Sequence, residues 1–207
     1  MQATVFIIGS QKKCFEGLMD ASLDIGFRTI LNFTDIEIAE QQVKRTPLCF
    51  FLFSLDGNLS EIPKVAKAIR FNRKKSIRFA PMIGFTQKAD QKTITACLQF
   101  GFDDIVAAPF DAQSIMLRLR ELLNKQITFY ETKTYFGPDR RRTPGQRPKD
   151  EPLHPKRGDG GDHREIIINR NIEIGITILS DEFKSKDKKE NEQTLEEATN
   201  ELLSTLV

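Results

Sequence analysis

Short apolar runs alternate with amphipathic segments along the first 125 or so residues. The apolar runs are rich in β-branched and aromatic residues and lie at 4–8, 28–33, 48–53, 79–85 and 104–108. The segments between them repeat apolar residues every three or four positions, which is typical of helices. They span 14–27, 34–45, 60–75, 90–101 and 111–126. Because strands that are apolar on both faces indicate a parallel sheet covered on both sides, the pattern predicts a three-layer α/β domain of five βα units over residues 1–126.

After residue 126 the pattern changes. Residues 127–164 are basic, rich in glycine and proline and poor in large aliphatic side chains, so we expect a disordered linker there. Residues 165–207 are expected to form a strand followed by an amphipathic helix. Four isoleucines alternate with other residues at the period of a half-buried strand: Ile172, Ile174, Ile176 and Ile178. A helical stripe then follows Thr194 and comprises Leu195, Ala198, Leu202, Leu203 and Leu206. A helix this short needs a surface, which this domain, a partner or a second copy of the chain would provide.

Composition narrows the classes of function. The 207 residues carry a formal net charge of +2, too small to make nucleic acid the expected partner, so any basic surface has to be local. The longest apolar run is far shorter than the roughly 20 residues that a membrane span needs, and the start of the chain does not resemble a signal peptide. A cytoplasmic protein is therefore expected. Cys14, Cys49 and Cys97 lie within apolar segments and predict structural thiols with no metal or redox role.

Residues 1–125 resemble the receiver domain of bacterial two-component response regulators. Three stretches carry the resemblance: "LDIGF" at 23–27, "PMIGFT" at 81–86, and "GFDDIVAAPF" at 101–110. It implies a flavodoxin-like (βα)5 domain with a role in phosphorelay signalling. It also implies a protein-binding face formed by the fourth predicted helix, the fifth strand and the fifth helix. That last helix has Ile115, Leu117, Leu119, Leu122 and Leu123, more apolar residues than one buried stripe holds, so part of it should be exposed.

The charges that the resembling family uses for phosphoryl transfer are missing. Its acid pair corresponds to Gly9 and Ser10, and its nucleophilic aspartate to Phe53, or to Ser54 if the register shifts by one. Its lysine corresponds to Ala108, and Thr86 alone matches. Without carboxylates a buried lysine would be an uncompensated charge, which explains the alanine. The resemblance therefore implies a degenerate pseudo-receiver that binds no metal or cofactor and is not an enzyme.

Asp56 lies two or three residues beyond the nucleophile position and is the one other candidate phosphoacceptor. Loop acids are usually solvated, so we expect no such role for it. A small α/β enzyme is the least favoured function, because no histidine, carboxylate pair or glycine-rich loop lies at a strand end.

An arginine tract in the linker is the other candidate site. Arg140, Arg141, Arg142 and Arg147 follow Tyr135 and Phe136 and would present guanidinium groups to phosphates. The tract is weakly similar to PilZ domains, which bind cyclic dinucleotides. Arg142 and Arg147 are five positions apart, one more than the corresponding arginines of that family, and the family's second motif is missing. His154, Asp159, Asp162 and His163 lie too close to glycines and prolines to predict a metal site.

The sequence thus favours a phosphorylation-independent signalling adaptor that acts by protein–protein interaction. The alternative is a module that uses the arginine tract to bind a phosphate-bearing ligand, such as a cyclic dinucleotide, or a nucleic acid.

Overall fold

A computed structural model describes residues 2–9, 12–56, 60–88, 90–109, 111–139 and 162–185, with backbone only for 12–15. Five parallel strands form the first sheet: β1 Ala3–Ile8, β2 Thr29–Asn32, β3 Leu48–Ser54, β4 Met82–Thr86 and β5 Asp104–Ala107. Their order across the sheet is β2-β1-β3-β4-β5. This is the doubly wound order of flavodoxin-like folds. The predicted α/β fold class is therefore confirmed.

In the described part of the chain, five helices lie between these strands and a sixth follows β5. They are α1 Lys12–Asp24, α2 Ile36–Gln42, α3 Ile62–Arg70, α4 Lys75–Arg78, α5 Gln91–Gln99 and α6 Ala112–Glu121. Asp35, Asp90 and Asp111 cap α2, α5 and α6, each accepting a backbone N–H from the first turn of its helix. The predicted third helix is divided, because α3 ends at Arg70 and the single turn of α4 starts five residues later. No helix in the described part of the chain is long and apolar enough to cross a membrane.

Two apolar cores cover the two faces of the parallel sheet. On one face, α2, α3 and α5 pack against the alternate β3 residues Cys49, Phe51 and Phe53. On the other face, Phe50 and Leu52 pack with residues of α1 and α6. Burial raises the pKa of the Cys49 thiol to about 11, so this cysteine stays protonated inside the core.

A second, antiparallel sheet follows α6. Its strands are β6 Gln126–Glu131, β7 Phe136–Pro138, β8 His163–Asn171 and β9 Gly175–Lys184, in the order β7-β6-β8-β9. The inner face of this sheet contributes five buried side chains to the core shared with α1 and α6. They are Phe129, Phe136, Ile166, Ile168 and Ile176.

The antiparallel sheet contacts the amino-terminal side of the parallel strands. Phe79, just before β4, packs edge-on against Phe129 with 5.1 Å between ring centroids, and contacts Phe136 at 5.4 Å. Gly101, just before β5, has a φ of +75° and leaves no room for a Cβ next to the carbonyl of Phe136. The second sheet therefore lies at the opposite edge from the carboxyl ends of the strands, where ligands of such folds usually bind.

The structure differs from the sequence prediction between 121 and 139. The fifth predicted helix ends at Glu121, five residues early, and the predicted linker starts with the β6–β7 hairpin. Thr128, Phe129 and Tyr130 have high strand propensity, and the polar turn at 132–135 separates them from Phe136, a signal typical of a hairpin. Predicted disorder at 140–161 lies outside the described residues.

The C-terminal strand is also different from its prediction. The alternating isoleucines belong to a hairpin, in which Ile172 and Ile174 lie in the turn between β8 and β9 while Ile176 and Ile178 lie in β9. Asn171 at the start of the turn accepts the N–H groups of Glu173 and Ile174, and Gly175 ends it with a φ of +82°. Asn171 and Gly175 are typical turn residues and indicate a reversal of chain direction, which the alternating isoleucines alone did not predict. The predicted helix from Thr194 and its proposed dimer contact lie outside the described residues.

Candidate functional site

The carboxyl edge of the parallel sheet brings together most of the positions that correspond to the receiver chemistry. Gly9 follows β1, Ser54 ends β3, Thr86 ends β4 and Ala108 follows β5. The register places Ile8 beside Phe53, and Ser54 beside Phe85. Ser10 lies outside the described residues. These four positions therefore lie together at the carboxyl edge of the sheet.

Gly9 excludes an acidic side chain as well as lacking one. Its φ of +144° favours glycine, and a Cβ there would lie 2.6 Å from the Cβ of Ser54. Ser54 is 3% exposed, and its hydroxyl has no hydrogen-bond partner in the described part of the chain. A serine needs an adjacent base to act as a nucleophile, and the described neighbours provide none.

Phe53, at the first of the two nucleophile positions, belongs to the core. It is fully buried and packs against Phe102 with 4.7 Å between ring centroids. Beyond it, Leu55 folds over Gly84 of β4, where an added Cβ would lie 2.5 Å from the leucine Cδ1. Apolar side chains therefore occupy the space beside the end of β3.

Asp56 is a carboxylate at this edge that contacts the end of β4. Its Oδ1 lies 3.0 Å from Thr86 Oγ1 and 2.9 Å from the backbone N of Gln87, and its Oδ2 lies 3.1 Å from the same nitrogen. The Thr86 hydroxyl is also 3.0 Å from the carbonyl of Lys88, so its single proton can go to either acceptor. The only matching residue of the receiver set is therefore in contact with a carboxylate from its own chain.

Ala108 lies beside this cluster and brings no charge to it. Its N–H donates to the carbonyl of Thr86 at 2.9 Å, and the peptide bond to Pro109 is cis. No group of three His, Cys, Asp or Glu side chains in the described ranges is arranged to hold a metal ion. In the described part of this edge, Asp56 contacts the donors of Thr86 and Gln87, while Asp90 and Asp111 cap α5 and α6.

The predicted partner face corresponds to α5, β5 and α6. In α6, Ile115 and Leu119 are buried and Leu117 is 53% exposed; Leu122 and Leu123, directly after α6, are half-buried. Arg118 of α6 lies 3.5 Å from Asp104 of β5, so a charged pair adjoins the exposed leucine. Leu117 is thus the exposed large apolar side chain of α6 on the predicted partner face.

A buried cluster of charges that the sequence did not reveal joins the two sheets. Asp103 lies 2.7 Å from Arg70 and 2.8 Å from Arg170, and all three side chains are at most 1% exposed. Both guanidinium groups lie 5.4 Å from the centroid of the Phe129 ring. Desolvation lowers the pKa of Arg70 to about 10, so it stays protonated at neutral pH and the three residues carry one net positive charge.

Further hydrogen bonds fix this cluster. Arg70 donates to the carbonyls of Arg78, Ala80 and Gly101 at 2.8–2.9 Å. Arg170 donates to the carbonyl of Phe79 at 2.7 Å, and Asp103 accepts the N–H of Met82. The three charges lie in separate segments of sequence, and for this reason no local motif predicted them.

Two candidate sites predicted from the sequence lie wholly or partly outside the described residues. Arg140, Arg141, Arg142 and Arg147 lie outside the described residues, as do His154 and Asp159. The ring of His163, in β8, contacts Tyr130 at a centroid distance of 5.7 Å. The tract's role in binding phosphates therefore stays a prediction.

Comparison with known proteins gives matches of structure alone. No protein-family model and no curated protein matches the sequence. The chemotaxis response regulator CheY4 of Vibrio cholerae is similar with 14% identity and a TM-score of 0.47, over 59% of this chain and 100% of that one.

Two other receiver structures are similar to a comparable degree. The receiver domain of a sensor histidine kinase from Pseudomonas aeruginosa has 20% identity and a TM-score of 0.46, over 57% of this chain and 94% of its own. A response regulator from Thermotoga maritima has 17% identity and a TM-score of 0.44, over 58% of this chain and 97% of its own. Similarity at this level concerns the fold and assigns no activity.

Proposed function

We propose that the protein is a phosphorylation-independent signalling adaptor, without enzymatic activity, that binds a protein partner through the surface around Leu117. The observation that carries the proposal is the carboxyl edge of the parallel sheet. There, Gly9 excludes an acid, Phe53 is a core residue and Ala108 is uncharged, while the fold around them is retained.

Phosphoryl transfer to an aspartate requires a divalent cation and a free carboxylate. Carboxylate oxygens are the usual Mg²⁺ ligands, and the positions that would provide them here are Gly9 and Phe53. Asp56 accepts hydrogen bonds from the groups nearest to it, Thr86 and Gln87. This geometry supports a domain whose β4–α5 connection is held by an internal carboxylate without a phosphoryl group.

The exposed apolar residue on α6 supports the choice of a protein partner. Leu117 lies on the surface of α6 opposite the buried Ile115 and Leu119, and no described element covers it. A small α/β enzyme finds less support, since the apolar side chains of Phe53 and Leu55 occupy the space beside the end of β3.

Incubation of the protein with acetyl phosphate and Mg²⁺ should add no phosphoryl group. The physical reason is that neither a metal site nor an unoccupied carboxylate is present at the described edge. Intact-mass analysis under neutral conditions checks this, with a phosphorylatable receiver domain as positive control. A mass increase of one phosphoryl group that is absent in Asp56→Asn would show that Asp56 is an acceptor and would contradict the proposal.

Substitution Leu117→Glu should reduce partner capture from a native cell extract by at least about tenfold, because a buried interface anchor commonly contributes 2 kcal/mol or more. Quantitative mass spectrometry of proteins retained by the tagged full chain is the measurement. Leu23→Glu is the matched control, since Leu23 is 57% exposed on α1 and carries the same change elsewhere. Equal capture by wild type and Leu117→Glu, with both variants folded, would refute the role of this surface.

A further inference from the structure

The charge of the chain is concentrated in one segment. Residues 60–79 contain seven basic residues and one acid, so they carry a net charge of +6 while the whole chain carries +2. Three of these cations are compensated: Arg70 by Asp103, Lys74 by Glu40 at 2.8 Å, and Arg78 by Glu131 at 3.0 Å. The remaining four are exposed.

These four cations lie within seven residues of Phe71, whose ring is exposed. Lys64 and Lys67 lie seven and four positions before Phe71, so all three share one face over about 10 Å of helix. Arg73 lies in the turn before α4, and Lys75 is the first residue of α4. The five residues Lys64, Lys67, Phe71, Arg73 and Lys75 form what we call the α3 basic surface.

Acids do not offset this surface. Glu61, on the preceding turn, lies 4.0 Å from Lys64, and both side chains are more than 70% exposed. A pair at that distance in solvent contributes little. Within the described ranges, no ion pair involves Lys67, Arg73 or Lys75. The surface therefore presents close to four positive charges to the solvent.

The aromatic ring of this surface, Phe71, packs on one side against the core. Phe71 is 45% exposed, and its ring lies 6.2 Å from that of the buried Phe136, which Arg78 covers at 4.0 Å. A ring fixed on one side and open on the other is suited to stacking with a planar group. Cations that track phosphates around such a ring are the elements with which proteins bind single strands regardless of sequence.

We propose that the α3 basic surface binds single-stranded nucleic acid. The proposal goes beyond the adaptor function and does not depend on it, because α3 and α6 lie on opposite faces of the parallel sheet. The net charge of the whole chain predicted no nucleic-acid partner. The proposal differs because it rests on a local excess of positive charge in residues 60–79. The arginine tract starts one residue after Asp139, which follows β7, the strand that contains Phe136.

The test uses the full chain and two fluorescently labelled single strands of about 15 nucleotides, oligothymidylate DNA and oligoadenylate RNA. Anisotropy is measured at about 50 and 200 mM salt. The surface variant combines four substitutions: Lys64→Gln, Lys67→Gln, Arg73→Gln and Lys75→Gln. The control variant removes the same charge from exposed positions elsewhere: Arg28→Gln, Lys44→Gln, Lys92→Gln and Lys125→Gln.

The surface variant should bind at least about thirtyfold more weakly than wild type. Its slope of log K against log salt should fall by about 3, because each lost phosphate contact in a single strand accounts for about 0.7. The control variant should change affinity by less than about threefold. Phe71→Leu keeps an apolar side chain but removes the stacking face, and should weaken binding about tenfold with the slope unchanged.

Three results would overturn the proposal. One is the absence of binding by wild type at the lower salt concentration. Another is an equal loss of affinity in the surface and control variants, which would indicate attraction by overall charge. The third is full affinity in Phe71→Leu together with equal competition by polyglutamate, which would indicate an acidic protein segment as the ligand. Circular dichroism and thermal unfolding establish that each variant is folded.

Discussion

Replacing Asp103 with asparagine should lower the free energy of unfolding by about 3–5 kcal/mol, the usual effect of removing one partner from a buried charge cluster. Asparagine keeps the size of the side chain but leaves Arg70 and Arg170 as two positive charges in the interior, each at most 1% exposed. Urea denaturation followed by circular dichroism measures the change.

The neighbouring residue provides a matched control. Asp104→Asn removes the same charge from a pair with Arg118, whose side chain is 52% exposed, so it should change stability by less than about 1 kcal/mol. Arg170→Met should cost less than Asp103→Asn, because it leaves Arg70 and Asp103 as a neutral pair. Similar losses in Asp103→Asn and Asp104→Asn would show that the cluster does not hold the two sheets together.

Sequence patterns predicted the parallel sheet because its strands are apolar on both faces. β1 and β3 read as continuous hydrophobic runs, and the caps Asp90 and Asp111 come directly before amphipathic segments. The same local logic located Gly9, Ser54, Thr86 and Ala108 at one edge, since the carboxyl ends of parallel strands lie together.

The second sheet was harder to predict because its strands are partly polar and are joined across a long interval. β6 pairs with β8, more than thirty residues later, and no local pattern encodes that pairing. The strand at 136–138 contains a glycine and a proline, which usually indicate a loop. The carboxylate contact of Asp56 likewise depends on the loop after β3 meeting Thr86 across the sheet, a separation of thirty residues.

The antiparallel sheet changes what a truncation should do. A fragment of residues 1–125 corresponds to the predicted receiver-like domain, yet it lacks all five side chains that the second sheet adds to the core. Each fully buried side chain of this kind contributes about 1.5–3 kcal/mol, and the total stability of a domain is about 5–15 kcal/mol. Truncation at residue 125 would also expose Phe79 and leave Arg70 and Asp103 at a new surface.

We therefore expect the fragment 1–125 to be unfolded or aggregated, whereas residues 1–139 and 162–207 expressed together as two chains should associate and fold. In the paired chains, β6 and β7 meet β8 and β9 without a covalent connection. Affinity purification through a tag on residues 162–207, followed by thermal unfolding of the complex, measures both expectations.

Substitutions on the two faces of β8 test whether this association depends on the shared core. Ile166→Asp and Ile168→Asp each place a charge at a position that is at most 1% exposed and should abolish recovery of residues 1–139. Ile167→Asp changes the half-buried residue between them, on the opposite face of the strand. This variant should still recover most of residues 1–139. A fragment 1–125 that unfolds at the same temperature as the full chain would show instead that the antiparallel sheet is an accessory to an independently stable domain.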